Sequence, residues 1–435
     1  MVSNAKRKIV VTGMGLVSPI GIGRGSFLEN LQAGRTGVGP ITAYRGAATP
    51  GQIGGEVRDF TDESAKKEFL KEKEQRKALK VMCREIQLGA AAAMQALADS
   101  GLDLQAVVHE RFGVEYGANL MFFTPDHLAD ACRKSSDESG MFCIDKWGEY
   151  GLKAMEPLWM LKYLPNMPAC HIAIFAQAFG PNNSVTVDEA STGVALTEAL
   201  NIMERSAADV MLVGGTGTRV HPVRTVHGRF WEQLGYDESD PAGTCRPFDE
   251  SRTGAVCGEG AGCFVLEEEG HAVARGAKIW GRVLGGASSC VARPDGEIDP
   301  HRALVNAMTA ALRRSGVSAD DVGHYHAHGN GSLLGDAAEA AAIREVFGGR
   351  NIPVTSIQGY TGNCGAGDGF LNIAASLLSL DTAGQIPQTL NTRGVDSSLG
   401  INVVTGAPQA TDNKLFVAAN YTRCGQAAAV VVEGA

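Results

Sequence analysis

The chain has no cysteine pair in CxxC spacing, no apolar run long enough to cross a bilayer, no surplus of positive charge and no short-period repeat. Each absence removes a class of function. Ten cysteines are scattered singly, which gives neither the close ligand spacing of a zinc site nor a disulfide framework. Reduced, mostly buried thiols in a cytoplasmic protein are the expectation. Ala90–Ala93 is apolar but far too short to span a membrane, and the opening residues do not read as a signal peptide. A net charge of −9 leaves no basic face for phosphate backbones, so nucleic-acid binding is not expected. No short-period repeat or low-complexity tract appears, which excludes solenoids and arrays.

What is present describes a large α/β protein. The 435 residues are 44% hydrophobic and 20% charged, enough for two cores or one duplicated core. Many of the 55 glycines fall where strands meet turns or helices. Lys8 to Thr12 reads as a buried strand that Gly13-Met14-Gly15 turns into a loop. Helices follow over Lys66 to Lys80 and Cys83 to Leu97, with a stop at Ser100-Gly101. Strands are expected at Phe112 to Tyr116, Val185 to Val187, Val210 to Val213 and Gly258 to Glu267, with helices at His171 to Ala178 and Ser191 to Arg205. The alternation then repeats: strands at Trp280 to Leu284, Gly323 to His328 and Val354 to Ser356, helices at His301 to Ser315, Ala337 to Phe347 and Gly369 to Leu380, and a closing antiparallel pair at Phe416 to Asn420 and Ala427 to Val432. Two similar α/β halves with buried strands are implied, 1–268 and 269–435, with 120–160 as a cap over the first.

Four motif blocks carry a resemblance. Phe179-Gly180-Pro181 to Glu189 leads into a helix and then Asp209-Val210-Met211-Leu212-Val213-Gly214-Gly215. Arg246-Pro247-Phe248-Asp249 runs on to Gly258-Glu259-Gly260-Ala261-Gly262. Ala327-His328-Gly329 is followed by Gly335-Asp336 and Glu339-Ala340, and Val354-Thr355-Ser356 by Thr361-Gly362, Gly365 and Gly369. In this order they resemble the beta-ketoacyl-acyl-carrier-protein synthases of type II fatty-acid and polyketide systems, KAS II-like, along essentially the whole chain. The resemblance implies a thiolase-like fold of two duplicated halves in five α/β/α/β/α layers, working as a dimer on acyl-carrier-protein or acyl-CoA thioesters, with no cofactor and no metal.

The same resemblance assigns positions. The family's chemistry uses a cysteine that attacks a thioester, two histidines that stabilise the decarboxylation enolate, a supporting lysine and an oxyanion hole. The cysteine position here is Glu189, the first histidine is retained as His328, the second histidine position is Asn363 and the lysine position is Gln358. In the C-terminal loop Cys424 stands at the phenylalanine gate, beside Gly425. Relatives without the cysteine include chain length factors, the non-catalytic partners of heterodimeric ketosynthases. Those typically hold glutamine at that position, so Glu189 and the retained His328 are departures.

Read as residues, Glu189 has two possible roles. It fills the pocket, held by helix amides and His328, or it forms an acid–base pair with His328. A mixed anhydride at Glu189 is a poor acyl store, and a carboxylate there repels an incoming malonyl group. Cys257 and Cys424 read as inert thiols, and Ser191 as pointing away from the pocket. His324 and His326 lie on a strand leading into a matched motif, which argues against a metal site. The lysine- and arginine-rich stretch from Lys66 to Lys80 reads as a solvated helix face or as a carrier-protein docking site through Arg76 and Lys77. The leading expectation is a catalytically degenerate ketosynthase-fold subunit paired with an active ketosynthase. The alternatives are repurposed Glu189–His328 chemistry on acyl thioesters (dehydratase, hydrolase or decarboxylase) and true condensation from a displaced nucleophile.

Overall fold

The structure is a computed structural model that describes residues 7–435. Strand β1 (Ile9–Ser18) is buried throughout and runs beside helix α1 (Arg84–Ser100). The strand does not end at Gly13-Met14-Gly15: it continues through them, with a bulge between Val11 and Gly13. The glycines serve approach rather than turning. A Cβ at Gly15 would overlap the Ala92 carbonyl, and one at Gly13 the Ala96 carbonyl, so their absence lets the alanine face of α1 settle on the strand. The helix stops where the sequence placed the stop, with Gly101 in the left-handed conformation at φ 60°.

The first half continues with β2 (Phe112–Ala118), α2 (Met167–Ala176), β3 (Asn182–Val185), α3 (Ser191–Glu204), β4 (Val210–Thr218), α4 (Pro222–Trp231) and β5 (Glu259–Glu268). The second adds β6 (Gly281–Cys290), α5 (Pro300–Ser315), β7 (His324–His326), α6 (Leu333–Phe347), β8 (Pro353–Thr355), α7 (Asp368–Ala383), β9 (Asn402–Val403), β10 (Leu415–Tyr421) and β11 (Gln426–Gly434). Hydrogen bonds join them in the order β9-β8-β7-β10-β11-β6-β1-β5-β4-β2-β3, with the short strand Gly21–Ile22 on β1 completing a twelve-stranded mixed sheet. The halves meet where Val10 pairs with Arg282 and Val11 with Gly281.

Helices α3 and α7 lie between the two halves, packed on strands of both. Every residue of α7 from Asp368 to Leu380 is buried, as a helix enclosed on all sides requires. With α1 and α2 over one half and α5 and α6 over the other, this is the five-layer arrangement expected from the resemblance. Two smaller expectations shift. The strand placed at Val185 to Val187 is β3, at Asn182–Val185, because Val187 and Asp188 already turn toward α3. The charged stretch Lys66 to Lys80 is broken into short turns, with Leu70 buried at the break. No helix among the described residues is long and apolar enough to cross a membrane.

The close approach of β1 to α1 is directly testable. Gly15→Ala is expected to destabilise at or above the upper end of the roughly 1–3 kcal/mol typical of overpacking, because the obstacle is backbone rather than a movable side chain. Chemical denaturation measures it. A loss within error of zero would show that the strand and helix can separate without cost.

Candidate functional site

The site is assembled at the starts of the two central helices. After β3 the backbone enters Asp188 at φ 42°, a left-handed conformation unusual outside glycine, and a 3-10 turn over Asp188–Ala190 delivers Glu189 to the first turn of α3. Glu189 is 7% exposed. Arg219 Nη1 donates to its Oε1 at 2.5 Å, and Asn363 Nδ2 donates to the same oxygen at 3.0 Å. Arg219 closes β4, and its other arm, Nη2, donates to Glu232 just beyond α4. One buried guanidinium therefore bridges two carboxylates.

The electrostatics follow from that bridge. Burial pushes the Glu189 carboxyl up, but the Arg219 guanidinium, helped by His328, the amide of Glu189 itself and Asn363, holds it below the ordinary value. Burial works against the Arg219 charge too, and Glu232 and Glu189 more than compensate, so its pKa rises. Glu189 is therefore a carboxylate at neutral pH.

His328 lies two residues past β7 and is buried. Its backbone N–H donates to Glu339 Oε1 at 2.9 Å and that of Gly329 to Glu339 Oε2 at 2.8 Å. Asp336 receives the amides of Asn330, Gly331 and Phe248. The two acidic residues of the Gly335-Asp336 and Glu339-Ala340 motif are thus the clamps that shape the His328 loop. The imidazole sits with Nδ1 3.2 Å from Asn420 Nδ2 and Nε2 3.4 Å from Asn330 Nδ2, edge-on to Tyr421. Burial carries its pKa down to about 4; Glu189 opposes the shift and Arg219 adds to it. The ring is neutral at pH 7. Its hydrogen-bonding neighbours are asparagines, and those of the Glu189 carboxylate are Arg219 and Asn363.

Glu189, Arg219, His328 and Asn363 line a cavity of about 600 Å³, walled by Arg224, His227 and Trp231 of α4, with the exposed Arg293 and Arg423 also in its lining. Gln358 opens a short buried helix, Gln358–Thr361, and does not line this cavity. Its amide lies against Asp368 without closing a hydrogen bond of ordinary geometry, and burial pushes the Asp368 carboxyl up to about 7. Cys424, exposed, and Gly425, buried, fall in the turn between β10 and β11, outside the lining, although Thr422 and Arg423 belong to it. Cys257 is buried and its thiol is pushed up to about 11, chiefly by burial. Ser191 accepts a hydrogen bond from the Val187 amide and does not reach the cavity.

Arg76 and Lys77 are exposed on the helix Lys73–Ala78, where Lys77 pairs with Glu74 at 3.2 Å. His324 and His326 both hydrogen-bond Ser376 on α7, and among the described residues no group of three or more His, Cys, Asp or Glu side chains could hold a metal. Sequence reasoning did not pick out Arg219, Arg224 or Glu232. A signal was available: an arginine closing the otherwise uncharged strand Val210–Thr218 needs a carboxylate partner, and a carboxylate buried at Glu189 needs a cation.

The layered fold, with the segments that lead into both central helices meeting at one cavity, is the thiolase-like architecture of ketosynthases. Two family models match in tandem, the beta-ketoacyl synthase N-terminal domain over residues 6–272 and the beta-ketoacyl synthase C-terminal domain over residues 281–393. The chain belongs to the beta-ketoacyl synthase family. It is 30% identical to the 3-oxoacyl-[acyl-carrier-protein] synthase 2 of Synechocystis sp., over 94% of each chain. It is 31% identical to the tetracenomycin polyketide synthase ketoacyl synthase alpha subunit of Streptomyces glaucescens, over 97% of this chain and 96% of that one. Among solved structures it resembles the ishigamide ketosynthase/chain length factor, with a TM-score of 0.84 and 25% identity over 99% of this chain and all of that one.

The Arg219 bridge sets a pH signature. In the native protein the depressed Glu189 pKa contributes stability above the ordinary carboxylate pKa, lost as pH falls through the lowered value. In Arg219→Gln the sign reverses, because burial alone lifts Glu189 above its ordinary value and its charge then opposes folding as pH rises. The variant should lose about 3–5 kcal/mol at about pH 8 and clearly less at about pH 5.5. Denaturation curves at the two pH values decide it, and equal losses would count against a charged Glu189.

Proposed function

We propose that this protein of the fatty-acid and polyketide ketosynthase family does not itself condense acyl groups and serves as a chain-length-factor-like partner of an active ketosynthase. One observation carries the reading. The position that the family resemblance assigns to the thiol nucleophile holds a buried carboxylate locked to Arg219 and Asn363. Acylation of that carboxylate would break a buried ion pair to make an anhydride. Glu189, Arg219 and Glu232 form a closed buried ion cluster, so the Arg219 guanidinium is already committed and not free to receive a malonyl carboxylate. Gln358, at the lysine position, supplies no cation of its own.

Among residues considered as displaced nucleophiles, Cys257, Cys424 and Ser191 all lie outside the cavity lining. In this reading the partners are an acyl carrier protein or acyl-CoA thioester, with Arg76 and Lys77 as the carrier-docking side chains, and an intact ketosynthase in a heterodimer.

A second reading has its own support. The cavity is open and both Glu189 and His328 line it, so an acyl thioester that enters would meet a carboxylate and a neutral imidazole. That arrangement suits dehydration, hydrolysis or decarboxylation more than condensation.

Glu189→Gln separates the two. As a non-condensing partner, the folded variant, in which Glu232 still pairs with Arg219, should leave turnover of the complex with an intact ketosynthase unchanged. As an acid–base enzyme, it should lose turnover by orders of magnitude. An acyl-thioester probe should label no peptide of this chain in either case. A labelled cysteine or serine would overturn both readings in favour of condensation from a displaced nucleophile.

A further inference from the structure

We infer that the chain carries a second ligand site, at the C-terminal end of α6, and that it takes a nucleoside monophosphate of the adenosine type. The site stands whether or not the cavity above Glu189 receives an acyl thioester.

The protein has a net charge of −9, yet one cavity of about 320 Å³ has two arginines and no acidic residue in its lining. That volume falls within the roughly 300–1,000 Å³ of small-molecule sites. The cavity lies beyond Phe347, the last residue of α6, and takes in the approaches to β8 and β9 at Ile352 and Asn402. The cavity above Glu189 touches the opposite end of the same helix, at Leu334, Gly335 and Ala338, and shares no lining residue with this one.

Arg344 and Arg350 are set for an anion. Both are exposed, and among the described residues neither pairs with a carboxylate. Their partners are backbone carbonyls. Arg344 Nη1 donates to Leu399, the last residue of the 3-10 turn Ser397–Leu399. Arg350 donates to Ala319 at 2.6 Å and to Val322 at 3.1 Å. A carbonyl orients a guanidinium without cancelling its charge, so two fixed cations border one concavity and lack a counter-ion. Their remaining N–H groups suit the oxygens of a phosphate.

The rest of the lining selects the organic part. Ile343, Ile352 and the half-buried Ile401 make up its apolar portion, which a flat ring would cover and a bare phosphate would not. The side chain of Asn351 is exposed and bonds none of the described residues, and Asn402 uses only its Nδ2, which donates to the Asn351 carbonyl at 3.2 Å. An asparagine amide offers one donor and one acceptor, the pair that the N6 and N7 edge of adenine completes. Gly348 and Gly349 leave the cavity unroofed, since a Cβ at either would meet nothing within 4 Å.

Calorimetric titration of the full-length chain with AMP, adenosine and inorganic phosphate tests the site. The native protein should bind AMP with a Kd below about 1 mM, and adenosine and phosphate each about tenfold or more weaker. Gly349 is not among the glycines with positive φ and has open space at its Cβ, so a side chain fits there. Gly349→Asp adds a carboxylate to the acid-free lining and should weaken AMP by about tenfold or more, whereas the near-isosteric Gly349→Asn should change it by less than about threefold. Arg344→Gln should behave as Gly349→Asp does; if it does not fold, the two Gly349 variants decide alone. Native protein that ignores AMP at millimolar concentration, or binds phosphate as tightly as AMP, overturns the nucleotide. AMP binding that Gly349→Asp leaves intact lies elsewhere on the chain and overturns the site.

Discussion

A carboxylate taken out of water at the first turn of a buried helix needs a cation within hydrogen-bond reach, and here that cation is Arg219. The guanidinium is itself buried, and Glu232 supplies a second carboxylate from the far end of α4. The residues from 219 to 232 thus act as one unit, with an anchored arginine at the start, an anchored glutamate at the end, and a helix whose Arg224, His227 and Trp231 line the cavity in between. Asn363 completes the cage from the other half of the molecule. A buried pair of this kind contributes little net stability against an apolar replacement, but losing one member is severe. The floor of the cavity is therefore hard to change one residue at a time.

The neutral state of His328 follows from the same environment. With the ring buried and Arg219 near, a proton on the imidazole is unfavourable, and the ring keeps its place through asparagines rather than through charge. Glu339 and Asp336 perform a different task. Their oxygens collect backbone amides of the 328–331 segment, so the turn is fixed whether or not its imidazole does chemistry. The scaffold of the site and the reactivity of the site are held by separate sets of residues, which is why one can be kept while the other changes.

Most of the architecture was legible in the sequence because it is written in long patterns: alternating strands and helices, the alanine face of α1, the largely apolar stretch of α7 and the glycine stops at Gly101 and Gly316. Gly13 and Gly15 misled because a glycine pair reads as a turn locally, while its use is set by a helix some eighty residues further along the chain. β3 was displaced by three residues because Val185 to Val187 has strand composition, but Val187 is already turning toward Asp188. Within the site, Glu189, His328 and Asn363 were found and the structure places them together. Gln358 was found and lies beside Asp368 instead. Arg219 escaped because the pairing of two charges thirty positions apart leaves no periodic trace, and only the physical demand of a buried acid points to it.

The two histidines of β7 show how finely the second half is set. His324 Nε2 and His326 Nδ1 both reach Ser376 Oγ, at 2.9 and 2.8 Å, and burial keeps both rings uncharged. A hydroxyl has a single proton to give, so it donates to one ring and accepts from the other. The imidazoles must then hold their protons in a fixed and correlated way, one presenting N–H to the serine and one presenting a lone pair. Strand and helix are matched here by proton bookkeeping as much as by shape, and a helix slid by one residue would meet the rings with the wrong partner.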